Sequence, residues 1–189
     1  MQNYTNRTDN AVVSNGTLQI ITKAESFGGS AYTSARLLSK DKFSFKYGKI
    51  EALAKLTERV GTWTAIWMLG NNISTGGWPA CGEIDTMAHA GKQFNEINGC
   101  FHHPGHSGGT PDGSNVIISN GTTEFHKYTV EWSATTIKIS VDDGVFYTCT
   151  NGSGLPFDQN FFIILNIAMG GNFGGAIDPV FANAIMEID

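Results

Sequence analysis

The sequence predicts an all-β protein, a sandwich or barrel of antiparallel strands, and three observations carry this prediction. Short runs rich in Val, Ile, Thr, Phe, Tyr and Trp recur between clusters of Gly, Asn, Ser and Asp. No segment has the apolar spacing of a long amphipathic helix. Asp143-Gly144 separates two alternating runs, and this dipeptide tolerates the positive φ angles of a type I′ hairpin turn.

The predicted strands follow these runs along the chain. Each run is bounded by residues that favour turns, and the Gly-rich stretches 70–77, 104–114 and 151–154 are predicted to be loops that carry ligand contacts. The predicted strands are 17–22, 34–40, 47–56, 62–69, 83–90, 97–103, 126–133, 136–141, 145–150, 161–169 and 184–189.

Strands 83–90 and 97–103 are predicted to form a hairpin that turns between 91 and 96. Paired residue numbers then sum to about 187, because opposed residues of a hairpin share one register. This register places His102 opposite Asp85 and Cys100 opposite Met87. A disulfide between Cys81 and Cys100 is therefore not favoured, and buried thiols are expected.

Composition indicates one globular domain, residues 1–189, which is large enough to bury a core. Hydrophobic residues make up 41% and charged residues 15%, which excludes disorder, and no apolar run approaches the ~20 residues of a membrane span. The net charge of -5 and the absence of a Lys/Arg run argue against nucleic acid as a partner. A neutral ligand is expected, and no signal peptide is recognised at the start of the sequence.

Two acids on one predicted strand mark the candidate site. Glu83 and Asp85 share a face of an ideal strand, and one extra residue in a β-bulge would aim position 88 at the same face. Positions 83 and 88 would then lie roughly 13 Å apart at ~3.3 Å per step, a span that two glutamates leaning together could close to ~5 Å. Position 88 is alanine. A solvent-exposed acidic strand is the alternative interpretation of the pair.

Three tryptophans close to these acids favour a carbohydrate cleft, because sugar rings stack their apolar faces on indoles. They are Trp63, Trp67 and Trp78, and for each alone core packing is the competing interpretation. A metal site at His102, His103 and His106 is not favoured, because the spacing does not define a ligand set.

The chain resembles glycoside hydrolase family 16, and within it the bacterial-type endo-β-1,3-glucanases, or laminarinases. The motif Glu83-Ile84-Asp85-Thr86-Met87-Ala88 has the laminarinase spacing Glu-x-Asp-x-x-Glu, with Met87 as the extra residue. The segments that carry the resemblance are 4–7, 32–37, 47–51, 61–69, 78–85, 101–102 and 165–171. The resemblance implies a β-jelly-roll sandwich of two curved antiparallel sheets, the concanavalin A-like lectin and glucanase fold, with the cleft on the concave face.

The resemblance also implies the roles of individual residues. Glu83 corresponds to the nucleophile of a retaining hydrolase, Asp85 to its hydrogen-bonded partner, and Ala88 to the position of the general acid/base. Loss of that acid/base is expected to impair activity strongly, by at least ~10²–10⁴-fold. Substrate-binding residues are implied at Arg36, Trp63, Trp67, Trp78 and His102.

Two other functions stay open beside an endo-β-1,3-glucanase that acts on laminarin-type glucans. The chain could be a non-catalytic β-glucan-binding module of the same fold, or a family 16 hydrolase of mixed-linkage glucans or algal galactans. The resemblance further implies a secreted monomer that needs no cofactor, does not bind a membrane, and is truncated at both ends. It also implies a structural calcium ion with Asp189 as one ligand.

Overall fold

The computed structural model describes residues 2–189, and within them the predicted β-sandwich is confirmed. A larger sheet of nine strands packs on a smaller sheet of six. The larger sheet runs in the order β1 (Gln2–Tyr4), β4 (Ser30–Ser34), β3 (Thr17–Phe27), β15 (Asn183–Ile188), β6 (Gly48–Lys55), β11 (His126–Trp132), β12 (Thr136–Val141) and β13 (Gly144–Thr150), with β2 (Ala11–Ser14) on β3. The smaller sheet runs β10 (Asp112–Ile117), β9 (Glu96–His102), β8 (Glu83–Ala90), β7 (Thr62–Gly70), β14 (Phe161–Met169) and β5 (Arg36–Leu38).

The strand predictions hold for the longer apolar strands and fail for the polar or very short ones. β1, β4 and β10 were not predicted as strands of their own, since polar and small residues dominate them, and the apolar β2 is only four residues long. The run predicted at 34–40 is divided between β4 and β5. All strand pairs are antiparallel except β1 with β4, which is parallel and departs from the expected antiparallel pattern.

The hairpin between β12 and β13 turns one residue earlier than predicted. Asp142 and Asp143 are the two residues with positive φ, at 49° and 69°, and Gly144 already pairs with Val141. Asp142 is held there because its carboxylate contacts the His126 ring at 2.6 Å and accepts the Lys127 amide at 2.9 Å. The prediction that Asp143-Gly144 forms the turn is therefore wrong by one position.

The core lies between the two sheets and consists of apolar side chains from both. β7, β8 and β14 are buried along most of their length, and they form the centre of the smaller sheet. The largest fully buried side chains are Tyr128, Phe101, Phe157, Phe161 and Phe162. Burying aromatic rings of this size dominates the energetics of a sheet-on-sheet core.

Helical structure within residues 2–189 is limited to two single turns, α1 (Ile73–Gly76) and α2 (Gly171–Gly174). Neither follows a long amphipathic pattern, as the sequence predicted. No helix in the described part of the chain is long and apolar enough to cross a membrane. The first turn follows β7 and the second follows β14, both in the smaller sheet. Strands of this sheet form the wall of a cleft.

Candidate active site

A β-bulge in β8 aligns three positions toward one cleft. Gly82 precedes the strand with a φ of 75°, and a Cβ there would lie 2.9 Å from the Phe161 ring, so only glycine fits this entry. Glu83, Asp85 and Ala88 all line the cleft. The prediction that a bulge brings position 88 to the face of the two acids is confirmed.

The extra residue of the bulge differs from the one predicted. Trp67 pairs with Asp85 and Ile66 pairs with Met87, so Thr86 has no partner on β7. Met87 is instead fully buried in the core. Against β7 the extra residue is therefore Thr86, one position earlier than expected, whereas β9 pairs with neither Thr86 nor Met87.

The register of β8 and β9 also differs from the predicted one. Glu83 pairs with His102 and Asp85 with Cys100, so the prediction of His102 opposite Asp85 and Cys100 opposite Met87 is wrong. Glu96 already belongs to β9, which shortens the turn by one residue, and the bulge removes one more from the pairing sum. The shift is two residues along β9, so His102 still lies on the side of the acids.

Glu83, Asp85 and His102 form a compact polar group at the floor of the cleft. His102 Nε2 lies 3.2 Å from Asp85 Oδ2 and 3.8 Å from Glu83 Oε1. Trp78 donates its indole N–H to Glu83 Oε2 at 2.6 Å, and the Trp78 and His102 rings are 5.6 Å apart. The Nδ1 atom of His102 is buried without a hydrogen-bond partner.

Burial and crowding of like charges set the protonation of this group. Burial is the main reason that the pKa of Glu83 rises to about 8, and the charge of Asp85 adds to it. Burial alone would lower the pKa of His102, but the hydrogen bond to Asp85 and the charges of both acids outweigh it and raise that pKa. A carboxyl with a pKa raised in a cleft beside a second carboxyl is a common feature of catalytic sites.

Position 88 brings no titratable group into the cleft. Ala88 pairs with Ala65 on one side and Asn98 on the other, and the two alanines are 9% and 6% exposed. The neighbouring His89 is fully buried, with its Nδ1 beside the Thr64 hydroxyl, so it points away from the cleft as expected. Burial also lowers the pKa of His89 to about 4, which leaves it neutral near pH 7.

The predicted substrate residues gather around the acids. Trp63, Trp67, Trp78, Arg36 and His102 all line the cleft, which has a volume of about 750 Å³. The Arg36 guanidinium lies over the Trp67 ring at 5.5 Å and over the Tyr4 ring at 4.7 Å. The three tryptophans therefore line the cleft and do not pack in the core.

Several cleft residues were not singled out from the sequence. Asn166 on β14 accepts the Trp67 indole N–H at 2.8 Å, and the Phe173 ring lies 5.1 Å from Trp63. Cys100 is half-buried beside Asp85, and it was expected only as a buried thiol. Their sequence signal is weak, because each is a single residue in an apolar strand or a Gly-rich loop.

The two expectations about cysteines and calcium have different outcomes. Cys81, Cys100 and Cys149 are all free, which confirms that Cys81 and Cys100 form no disulfide. Asp189 is exposed, and its amide donates to the Leu53 carbonyl at 2.8 Å. It does not belong to the one group of three candidate metal ligands found within residues 2–189, which is Asp85, Cys100 and His102.

Comparison with known proteins identifies related sequences over nearly the whole chain. The sequence pattern of "Glycosyl hydrolases family 16" matches residues 1–180. A beta-glucanase of Rhodothermus marinus is 38% identical over 205 residues, which cover 100% of this chain and 72% of that protein. The glucan endo-1,3-beta-glucosidase A1 of Niallia circulans is 35% identical over 212 residues, covering 100% of this chain and only 31% of its own.

Solved structures give the same result for the fold. The X-ray structure of the laminarinase from Rhodothermus marinus superposes with a TM-score of 0.93 at 37% identity, over 99% of this chain and 82% of that one. The predicted jelly-roll sandwich is thereby confirmed.

Proposed function

This chain belongs to glycosyl hydrolases family 16, whose members need no cofactor, and from that premise we propose that it is built to hydrolyse β-1,3-glucans of the laminarin type with retention of configuration. The observation that carries the proposal is the common orientation of Glu83, Asp85 and position 88 into one cleft lined by tryptophans. The similarity to a glucan endo-1,3-beta-glucosidase supports the choice of linkage.

In the proposed reaction Glu83 attacks the anomeric carbon and forms a covalent glycosyl-enzyme, which water then hydrolyses. Trp78 holds one Glu83 oxygen through its indole N–H at 2.6 Å, leaving the other to attack. Asp85 and His102 share a contact of 3.2 Å, and together they tune the charge of Glu83. Glu83 must give its proton to solvent before attack, and its raised pKa of about 8 opposes this loss at neutral pH.

The alanine at position 88 limits this reaction. A retaining hydrolase needs a second carboxyl ~5–5.5 Å from the nucleophile to protonate the leaving oxygen and later activate water. Neither Ala65 nor Asn98, which pair with Ala88, offers a proton at neutral pH. We propose that the protein binds glucan but cleaves it slowly.

Substitution Ala88→Glu tests the proposal. The new carboxylate should raise the rate of reducing-sugar release from laminarin by about 10²–10⁴-fold, the usual size of a general acid/base contribution. Ala88→Gln is the matched control, since it adds a side chain of the same size at the same position but no acidic proton. It should leave the rate unchanged.

A second candidate function is a β-glucan-binding module without catalysis, and Ala88 is the observation that favours it. Under this alternative, Ala88→Glu would bind laminari-oligosaccharides as the unsubstituted protein does and yet release no reducing sugar. That result would overturn the hydrolase proposal. Digestion of defined β-1,3-linked, mixed-linkage and algal galactan oligosaccharides by Ala88→Glu would then identify the substrate class of an active form.

We also propose that residues 1–189 form one catalytic domain that acts outside the cell as a monomer, because polymeric glucans do not enter cells. Light scattering during size-exclusion chromatography should give the mass of a single 20.3 kDa chain. Detection of the protein in the medium rather than the cells of its source organism tests secretion.

A further inference from the structure

The group formed by Asp85, Cys100 and His102 combines three different metal-binding atoms at the floor of the cleft. Cys100 Sγ lies 3.1 Å from Asp85 Oδ2 and 3.7 Å from His102 Nε2, and the latter two atoms are 3.2 Å apart. The three atoms thus form a triangle with sides of 3.1, 3.7 and 3.2 Å. Asp85 and His102 are each 8% exposed, so the triangle is buried but faces the cleft.

The triangle is close in size to one face of a tetrahedral zinc site. Zinc bonds of ~2.0–2.3 Å to oxygen, nitrogen and sulfur place neighbouring ligands roughly 3.2–3.7 Å apart at tetrahedral angles, and a sulfur and an oxygen ligand about 3.5 Å apart. The distances from His102 Nε2 to Asp85 Oδ2 and to Cys100 Sγ lie at the ends of that range, whereas Cys100 Sγ and Asp85 Oδ2 are 3.1 Å apart. Binding of such an ion therefore requires Cys100 Sγ to move about 0.4 Å away from Asp85 Oδ2.

Charge and ligand type select the class of cation. Glu83 Oε1 lies 3.8 Å from His102 Nε2, so two carboxyl groups share one imidazole as their neighbouring cationic group. A divalent ion would relieve that excess of acid. A thiolate beside an imidazole selects zinc and similar ions over calcium and magnesium, which prefer oxygen ligands alone.

We propose that Asp85, Cys100 and His102 form a binding site for zinc and similar thiophilic divalent cations, and that an ion bound there competes with glucan. Three protein ligands leave the fourth coordination position open toward the cleft and Glu83. The ion draws Asp85 and His102 away from Glu83 and occupies the floor on which a sugar would lie. The competition rests on the proposed function, whereas the metal site does not.

Metal binding is tested on the reduced, metal-free protein, without reference to glucan. Calorimetric titration with Zn²⁺ should give one saturable site per chain. Titration with Co²⁺ should give a sulfur-to-cobalt charge-transfer band in the near ultraviolet, which a thiol-free surface site would not produce. The absence of saturable zinc binding, or of this band, would overturn the proposal.

Cys100→Ser tests the ligand assignment, because it keeps a hydrogen-bond donor beside Asp85 but removes the thiolate. It should abolish the charge-transfer band and weaken zinc binding by more than the roughly 10–100-fold that loss of an outer-shell partner costs. Cys149→Ser is the matched control. Its thiol also lies beside a carboxylate and a histidine, but at wider distances, with Sγ 3.7 Å from Asp112 Oδ2 and His103 Nε2 4.0 Å from that oxygen.

A measurement on the unsubstituted protein covers the case in which Cys100→Ser does not fold. Zn²⁺ should slow alkylation of Cys100 by about tenfold or more, because the thiolate is the nucleophile and a coordinated thiolate is shielded from the reagent. The rate is followed by mass spectrometry of the Cys100 peptide, and alkylation of Cys149 in the same sample should stay unchanged. Equal rates for Cys100 with and without zinc would overturn the site.

Competition is measured by titrating a laminari-oligosaccharide with and without Zn²⁺. A weaker apparent affinity in the presence of zinc is expected for the unsubstituted protein and for Cys149→Ser, but not for Cys100→Ser. Equal affinity with bound zinc would overturn the competition. Zinc binding without any oligosaccharide binding in the metal-free protein would contradict the proposed function and leave the metal site standing.

Discussion

Two pairs of histidine and aspartate, one in each sheet, differ in what surrounds them. In the larger sheet His126 Nδ1 contacts Asp142 Oδ2 at 2.6 Å, and its other ring nitrogen lies 3.3 Å from the Asn120 carbonyl. In the smaller sheet His102 Nε2 contacts Asp85 at 3.2 Å, but its Nδ1 is buried without a partner. The first histidine is satisfied at both nitrogens, and the second is not.

The acids differ as well. The Asp142 side chain is 52% exposed and it secures a turn, whereas the Asp85 side chain is 11% exposed and shares its histidine with Glu83. The pair of His126 and Asp142 is thus a structural pair, in which one histidine meets one solvent-exposed acid. The cleft group crowds two carboxyls around one histidine in a buried place, which raises the pKa of Glu83 and is typical of functional sites.

The largest expected effect separates the two groups by activity. In the Ala88→Glu background, Glu83→Gln should lower laminarin hydrolysis by more than about 10⁴-fold, because loss of a covalent nucleophile is among the most damaging changes to an enzyme. Asp142→Asn in the same background should change the rate by less than about twofold, since surface ion pairs contribute little. If Glu83→Gln and Asp142→Asn lowered the rate of hydrolysis equally, the cleft group would have no special role in catalysis.

The second prediction concerns pH and stability at Glu83. A carboxyl whose pKa is raised to about 8 binds a proton more tightly in the folded state, so stability falls as pH rises from ~4.3, the ordinary glutamate pKa, to about 8. Glu83→Gln removes this loss. The melting temperature of the variant, relative to the unsubstituted protein, should therefore increase between pH 5 and pH 8.5, by an amount equivalent to a few kcal/mol at most. A constant difference would contradict a raised pKa.

The third prediction tests the ring that hydrogen bonds to Glu83. Trp78 is 46% exposed in the cleft, so its indole is free to stack on a sugar. Trp78→Ala should weaken laminari-oligosaccharide binding by about 10-fold, equivalent to ~1.4 kcal/mol of stacking and burial. Trp78→Phe keeps an aromatic face but loses the indole N–H, so it should retain most of the affinity. Equal losses in both variants would assign the effect to the hydrogen bond instead.

The smallest effect is expected at the structural pair. Partial burial would raise the pKa of Asp142, but hydrogen bonds from His126 and the Lys127 amide outweigh it and lower that pKa. The stability that Asp142 contributes is therefore present above ~pH 3.9, the ordinary aspartate pKa, and is lost as pH falls through its lower folded-state pKa. Asp142→Asn should cost no more than about 1 kcal/mol at pH 7, because solvent screens this exposed group. Denaturant unfolding should find no such cost at pH 2.5.

The sequence predicted the apolar framework well because alternation and turn residues are local signals. β7, β8 and β14 were all predicted, whereas β10 was missed because its Asp, Gly, Ser and Asn residues gain strand geometry only by pairing with β9. The prediction of the cleft residues was also correct for position, since Glu83, Asp85 and Ala88 line it together.

The sequence could not predict which side chains meet across the β8–β9 pair. One residue fewer in the turn and one bulge residue changed the register by two positions, which kept each side chain on its face but changed its partner. Cys100 thereby came to lie opposite Asp85. The candidate metal ligands are thus a product of register, which depends on pairing along the whole hairpin.

The unpaired Thr86 gives the bulge a consequence for protein engineering. Upstream of it odd-numbered side chains face the cleft, and downstream even-numbered ones do, as Asp85 and Ala88 illustrate. Deletion of Thr86 would place that alanine two residues after Asp85, so a regular strand without the bulge would still turn it toward the cleft. A deletion that left the bulge in place would instead turn it toward the core, so any redesign of the cleft must change the number of residues in this strand and its bulge together.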